Sequence, residues 1–350
     1  MQCLFLFLHM KDNTFQTIQE IGFTSLIEKI QNYTGKNRNE IIKGIGDDAS
    51  VQSLDNNRSI LSTSELFLEG VHFDLTYHPL HHLGYKIVTS AVSDIYAMNG
   101  KPVQILTDIA IPNKYSVQMI EQFYKGVETA CKDYNCQLSG GDTTASHQIF
   151  AISVTAIGES DTSELIYRNG AGKDDAICVT GDLGGALAGL RILMREKEYW
   201  KSNKEQQFQP DLQGYEYVVK RQLVPAARAD FIEILSKNDI KPTSLIDISQ
   251  GLLADCKEIA VQSGWGVELF TPAVPISIDT RKVADEMKED VDKYAFYGGE
   301  DFEMLFTLKK NDVEEFAKIF DDFTVIGRMT ERKNEFQINT GEGESIQIDL

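Results

Sequence analysis

The chain has 350 residues, 42% apolar and 25% charged, with 53 acidic against 34 basic side chains and a formal net charge of −19. Single hydrophobic cores seldom grow past roughly 250–300 residues, so the length calls for two α/β domains, and the composition excludes wholesale disorder. The charge repels nucleic acid and anionic membranes; it would repel a phosphorylated ligand too, so phosphate chemistry here calls for bound Mg²⁺.

Residues 1–10 are apolar but lack a basic leader and a small-residue cleavage site, so they read as a first strand or as residues ahead of a start at Met10. No apolar run reaches the ~20 residues of a membrane span. The cysteines (Cys3, Cys131, Cys136, Cys178, Cys256) are odd in number, widely spaced and form no CxxC pair. They fit a reducing cytoplasm better than a disulfide framework or a zinc site.

Residues 43–48 form a loop whose glycines and paired carboxylates suit neither regular element. A short strand is expected at 59–62, ending at Thr63-Ser64-Glu65. Leu83, Ile87, Val88, Ala91, Val92 and Ile95 recur at helical spacing and predict a helix over 82–98, stopped by Asn99-Gly100. Asp94 interrupts that apolar face, where a carboxylate is costly to bury unless it is paired or binds metal. A strand at 103–109, an amphipathic helix at 116–134, a second glycine-acid loop at 139–144 and a strand at 149–157 follow. The polar segment 159–164 marks the expected boundary between domains 1–160 and 161–350.

The second half repeats the alternation. Strands are expected at 176–180, 244–248, 266–270 and 303–308. Helices are expected from 185 to Met194, after Pro225, and at 252–262 and 280–288. Residues 195–213, rich in charge, read as a surface excursion. The pattern predicts α/β or α+β layers in both halves.

Four loops share one design: a glycine or small residue beside one or two carboxylates. They are Gly46-Asp47-Asp48, Gly140-Gly141-Asp142, Asp247-Ile248-Ser249 and Gly298-Gly299-Glu300-Asp301. Converging on one cleft, they would suit Mg²⁺ ions and a polyphosphate; taken singly, each reads first as a turn or a helix cap. There is no GxxxxGK[ST], no GxGxxG between strand and helix, and no HRD or DFG set, so an ATP site here is not of the common kinds.

The order of loops resembles the family of aminoimidazole-ribonucleotide synthetase, selenophosphate synthetase and thiamine-monophosphate kinase, the last most of all. The match rests on Gly44-Ile-Gly-Asp-Asp-Ala49, Leu68-Glu-Gly-Val-His-Phe73, Gly84-Tyr-Lys86, Ser93-Asp-Ile-Tyr-Ala-Met98, Ser139-Gly-Gly-Asp-Thr-Thr144, Tyr167-Arg-Asn-Gly170, Asp247-Ile-Ser249 and Gly298-Gly-Glu-Asp-Phe-Glu303. The Glu-Gly-Val-His-Phe string points to the thiamine-monophosphate branch.

The resemblance implies ATP-dependent phosphorylation of thiamine monophosphate by a cytoplasmic homodimer whose N-terminal sheets join across the two-fold. By similarity Asp48, Ser64, Glu65, Asp94, Asp142 and Asp247 fall on magnesium positions, with Asp48, Asp142 and Asp247 central to catalysis. Tyr124, Gly141, Asp142, Arg168 and Ser249 fall on ATP positions, and His72 and Glu300 on thiamine-phosphate positions. The chain departs from the family at Glu65 and Gln250, where Asp is usual, at Ala91, where Asn is usual, and at Gly22-Phe-Thr24. Two other readings stay open: a nucleotide-binding paralogue with little kinase activity, and a synthetase of the same fold acting on another phosphorylated or carboxylated substrate.

Overall fold

A computed structural model describes residues 16–35, 38–203, 209–333, 335–341 and 343–349; the apolar opening segment and Cys3 lie outside them. After α1 (Ile18–Gln31), closed at its start by a Thr17–Glu20 capping box, the first half builds one mixed sheet. Its strands are β1 (Ile41–Lys43), β2 (Ser50–Ser53), β3 (Arg58–Leu68), β4 (Lys101–Pro112), β5 (Gln137–Gly140), β6 (Thr143–Ser146) and β7 (Ala151–Asp161). The order is β1-β2-β3-β7-β4-β5, with β6 also on β4. The central β3–β7 and β7–β4 pairs are antiparallel, and β5 and β6 run parallel to β4.

Alternation along these strands turns Leu61, Phe67, Ile105, Ile109, Ile152 and Val154 to one buried face. There the helices α2 (Leu80–Tyr96) and α3 (Val117–Asp133) pack. A Cβ on Gly84 would sit 2.0 Å from the Phe123 carbonyl oxygen, and one on Gly126 would sit 1.8 Å from that of His81. Only glycine at both positions lets the two helices approach this closely.

The second half contains β8 (Ala176–Thr180), α4 (Gly185–Ser202), α5 (Glu216–Leu223), α6 (Ala229–Lys237), β9 (Ser244–Asp247), α7 (Leu252–Ser263), β10 (Gly266–Phe270), α8 (Ile278–Met287), α9 (Asp292–Tyr297), β11 (Met304–Leu308), α10 (Val313–Phe316), β12 (Phe323–Thr330), β13 (Glu335–Asn339) and β14 (Ser345–Asp349). Its sheet runs β14-β13-β10-β12-β8-β11-β9. One apolar core crosses from half to half, joining Leu83 and Ile95 of α2 to Phe231, Phe306 and Phe316. For that reason α2 is buried on almost every side and carries its few polar groups into the junction. Among the described residues no helix is long and apolar enough to cross a membrane.

Three expectations change. The strand at 59–62 continues through Thr63-Ser64-Glu65 to Leu68, because β7 pairs with all eleven of its residues. The second glycine-acid loop is a kink at 141–142 between β5 and β6, where β4 changes its parallel partner. Helix α4 continues past Met194 into the charged stretch as far as Ser202, held by pairs such as Lys201–Glu198 one turn apart. Helix α5 follows at Glu216, just beyond the expected excursion.

Candidate active site between the two halves

Three segments far apart in sequence bring carboxylates to one point. Asp48 lies in the loop between β1 and β2, Asp94 on the last turns of α2, and Asp247 at the end of β9. All three are buried, and one carboxylate oxygen of each lies within 4.8 Å of the others. Thr63 donates to Asp94 Oδ2 at 2.6 Å, and Ser93 donates to Asp247 Oδ2 at 2.6 Å. Asp247 Oδ1 is buried with no hydrogen-bond partner among the described residues. Glu65 stands two residues after Thr63, on the same face of β3, where burial first and then the charge of Asp247 raise its carboxyl against a hydrogen bond with Asp94.

Arg168 closes the other side. Its Nη2 donates to Asp48 Oδ1 at 2.8 Å and its Nε to Oδ2 at 3.3 Å, while its backbone N–H donates to Asp47 Oδ1 at 3.3 Å. Even so, burial first, then the charges of Asp247 and Asp47, push the Asp48 carboxyl up to about 7 against Arg168. Burial first, then Asp247, Glu65 and Asp48, hold Asp94 well above the carboxylate range, and burial raises Asp247 as well. A set of oxygen-only donors with an unused buried lone pair fits a hard cation such as Mg²⁺, which would offset this repulsion.

A pH dependence follows. The unfolded Asp48 carboxyl titrates near 3.8 and the folded one near 7, so between these values the folded state holds a proton that the unfolded state lacks. Stability therefore falls as pH rises through that window. Without divalent cations, the native protein should lose stability relative to Asp48→Asn between pH 5 and pH 8, and saturating Mg²⁺ should remove the loss. Urea melts in EDTA and in Mg²⁺ at both pH values check this; a pH-independent difference would overturn the account.

From the carboxylates a cleft of about 670 Å³ extends past His72, Ser249 and Gln250 to Glu300 and Phe302. His72 follows β3, and its Nδ1 accepts from the Leu68 N–H at 3.0 Å. Glu300 sits in left-handed backbone (φ 56°) in the Gly298-Gly299-Glu300 turn, and its Oε2 is 2.8 Å from the Lys86 ammonium. Gln250 is at the rim. Its neighbour Asp255 is buried, and its Oδ2 accepts from the backbone N–H groups of Gln250 (3.1 Å) and Gly251 (3.0 Å) and so holds this loop in place.

The remaining residues singled out in the sequence lie elsewhere on the first half. Ser64 alternates with Glu65 and is exposed on the opposite face of β3, near Ser153. The Tyr124 hydroxyl accepts from Thr107 at 3.4 Å. Gly141 has φ 144°, and a Cβ there would lie 1.9 Å from the Thr107 carbonyl oxygen, so only glycine permits the close contact with β4. Asp142 is exposed; its Oδ1 accepts from the Thr143 N–H at 2.8 Å, and it lines a shallow groove of about 160 Å³ with Asp108 and Ser153. Thr63, Ser93 and Lys86 stand in segments singled out from the sequence, but none of them was given a role at the site. Lys86 carried the same signal as Asp94, a charge within an apolar helical face; the two hydroxyls carried none.

Two family models match, AIR synthase related protein, N-terminal domain, over residues 46–160, and AIR synthase related protein, C-terminal domain, over residues 172–338. Fold and site thus define an AIR synthase-related protein with a carboxylate-lined cleft between its halves. The thiamine-monophosphate kinase of Aquifex aeolicus is 33% identical over 91% of this chain and 95% of its own length, and that of Bacillus subtilis is 31% identical over 83% and 86%. A solved structure of AaThiL complexed with AMPPCP and TMP superposes with a TM-score of 0.80 at 28% identity, covering 96% of this chain and 98% of the other. The chain belongs to the thiamine-monophosphate kinase family.

Proposed function

We infer that this protein catalyses ATP-dependent phosphorylation of thiamine monophosphate to thiamine diphosphate. The observation that carries the reading is the buried triad Asp48, Asp94 and Asp247, of which Asp94 lines a cleft that also holds Glu65, His72 and Glu300. In this reading the triad and Glu65 hold several Mg²⁺ ions, joined by Ser64 and Asp142 from the other side of β3. Cations held by these residues would supply charge neutralisation for the phosphates of ATP. Arg168 has a planar fork suited to phosphate oxygens and, with Tyr124, Gly141, Asp142 and Ser249, binds the nucleotide. His72 and Glu300 receive thiamine monophosphate, with Glu300 facing its cationic ring.

The acceptor is a phosphate oxygen already ionised at neutral pH, so the reaction needs no dedicated base. The task left to the protein is to bring two anions into line, which rests on positioning and on charge neutralisation by the cations that Asp48, Asp142 and Asp247 would hold. Division at residue 160 into a nucleotide-binding domain and a C-terminal domain goes with this reading. So does a cytoplasmic homodimer through the open face of the first sheet, where the exposed Leu66 and the Asp142 groove lie.

Incubation with ATP, Mg²⁺ and thiamine monophosphate should yield thiamine diphosphate and ADP in equal amounts. Tight ATP binding without product would instead support a nucleotide-binding paralogue, for which Glu65 and Gln250 are the relevant departures. ADP formed with no thiamine diphosphate, and only when another phosphorylated or carboxylated substrate is supplied, would support a synthetase.

A further inference from the structure

Among the described residues Lys86 is the most deeply buried cation, and the chemistry above leaves it without a role. Its side chain is 1% exposed, in the junction between the halves. The ammonium has three N–H donors, and each meets an acceptor. Glu300 Oε2 lies at 2.8 Å and the Gln222 backbone oxygen at 3.0 Å. The Gln222 side-chain oxygen accepts at 3.1 Å in the orientation that lets its amide donate to the Ala186 carbonyl at 3.0 Å. A lysine so enclosed is held in one place, and the carboxylate paired with it is held too.

Two further observations give that fixity a purpose. Glu300 lines the cleft and is held in left-handed backbone, so without its counter-ion the side chain would be anchored only through a strained turn. Lys86 and Asp94 lie on the same buried helix, eight residues apart, which spans about 12 Å along its axis. One rigid element therefore sets the separation between Glu300 at one end of the cleft and the buried carboxylates at the other.

We propose that Lys86 is a positioning residue for phosphoryl transfer: it holds Glu300 by Oε2, leaves Oε1 for the cationic ring of the substrate, and ties that contact through α2 to the metal-binding carboxylates. The proposal rests on the reading of Glu300 as a substrate contact. Lys86 touches neither substrate nor nucleotide; it fixes where the acceptor phosphate lies once the ring is bound.

The test uses the full chain and compares Lys86→Met, Glu300→Gln and the double variant, with calorimetry for thiamine monophosphate and for Mg·ATP alongside steady-state rates. Lys86→Met should lower kcat by about 10- to 100-fold, the scale expected for an ångström of misplacement. Affinity for thiamine monophosphate should be kept or raised, because an unmatched carboxylate attracts the ring at least as strongly, and affinity for Mg·ATP should not change. In the Glu300→Gln background the same substitution should cost no further kcat. An equal kcat loss in both backgrounds, a weakened affinity for both ligands, or an unchanged kcat would overturn the proposal. If Glu300→Gln leaves thiamine monophosphate affinity intact, the reading of Glu300 itself fails, a separate outcome. Should Lys86→Met not fold, Lys86→Gln, which keeps a donor for the Gln222 carbonyl, serves in its place.

Discussion

Replacing Asp94 by Asn should make the metal-free protein more stable and at the same time remove almost all turnover. The two effects have one cause. Asp94 shares a buried point with Asp48 and Asp247, their oxygens within 4.8 Å of one another. Two unit charges about 4 Å apart repel by about 4 kcal/mol at an effective dielectric of 20. Partial protonation relieves part of that, so the isosteric amide should raise stability by on the order of 1–2 kcal/mol. The amide oxygen can still accept from Thr63, so the hydroxyl that now donates to Oδ2 keeps its partner. With Mg²⁺ present the sign reverses, since a neutral ligand holds the cation more weakly and neutralises less of the developing charge. A loss of about 10³-fold in kcat is expected, near 4 kcal/mol of barrier. Urea melts with and without Mg²⁺, together with steady-state rates, would decide it. A destabilised metal-free variant that keeps its response to Mg²⁺ would show that Asp94 is structural.

The largest loss of stability is expected from Glu303→Gln. This buried carboxylate stands just before β11, at the end of the turn that carries Glu300. It accepts from Thr180 Oγ1 at 2.6 Å, Arg221 Nη1 at 2.7 Å and Arg228 Nη1 at 2.8 Å. Asp301, beside Arg221 and buried, accepts the backbone N–H groups of Gly184 and Ala186, so the network also fixes the start of α4. Removing one partner of a buried ion pair leaves the others uncompensated, typically at a cost of about 3–5 kcal/mol. Arg228 keeps Asp230 and Asp322, both largely exposed, and Arg221 keeps Asp301 only at 3.5 Å. The variant should therefore fall near the lower end of that range and lose thiamine monophosphate affinity before it loses Mg·ATP affinity. Chemical denaturation gives the first quantity and calorimetry the second. A change under 1 kcal/mol would mean that the two arginines are satisfied by their other partners.

Much of the molecule is settled by the order of residues alone. The apolar periods of α2 and α3, the apolar runs of β8 and β10, and the place of each acidic loop are local properties, because a helix or strand writes its own repeat into the chain. The oddity of Asp94 on an apolar helical face was legible for the same reason. The family, too, could be read from the spacing of short motifs. What tertiary structure alone decided is which carboxylates meet. Asp48, Asp94 and Asp247 are joined by the closure of the two halves around α2, and a one-residue step along β3 sends Glu65 to that point and Ser64 away from it. The counter-ions were equally hidden: Arg168 reaches Asp48 across 120 residues and Lys86 reaches Glu300 across 214. Periodicity records how a segment meets the core, but a buried charge chooses its partner only when packing removes water from both, and that choice is made in three dimensions.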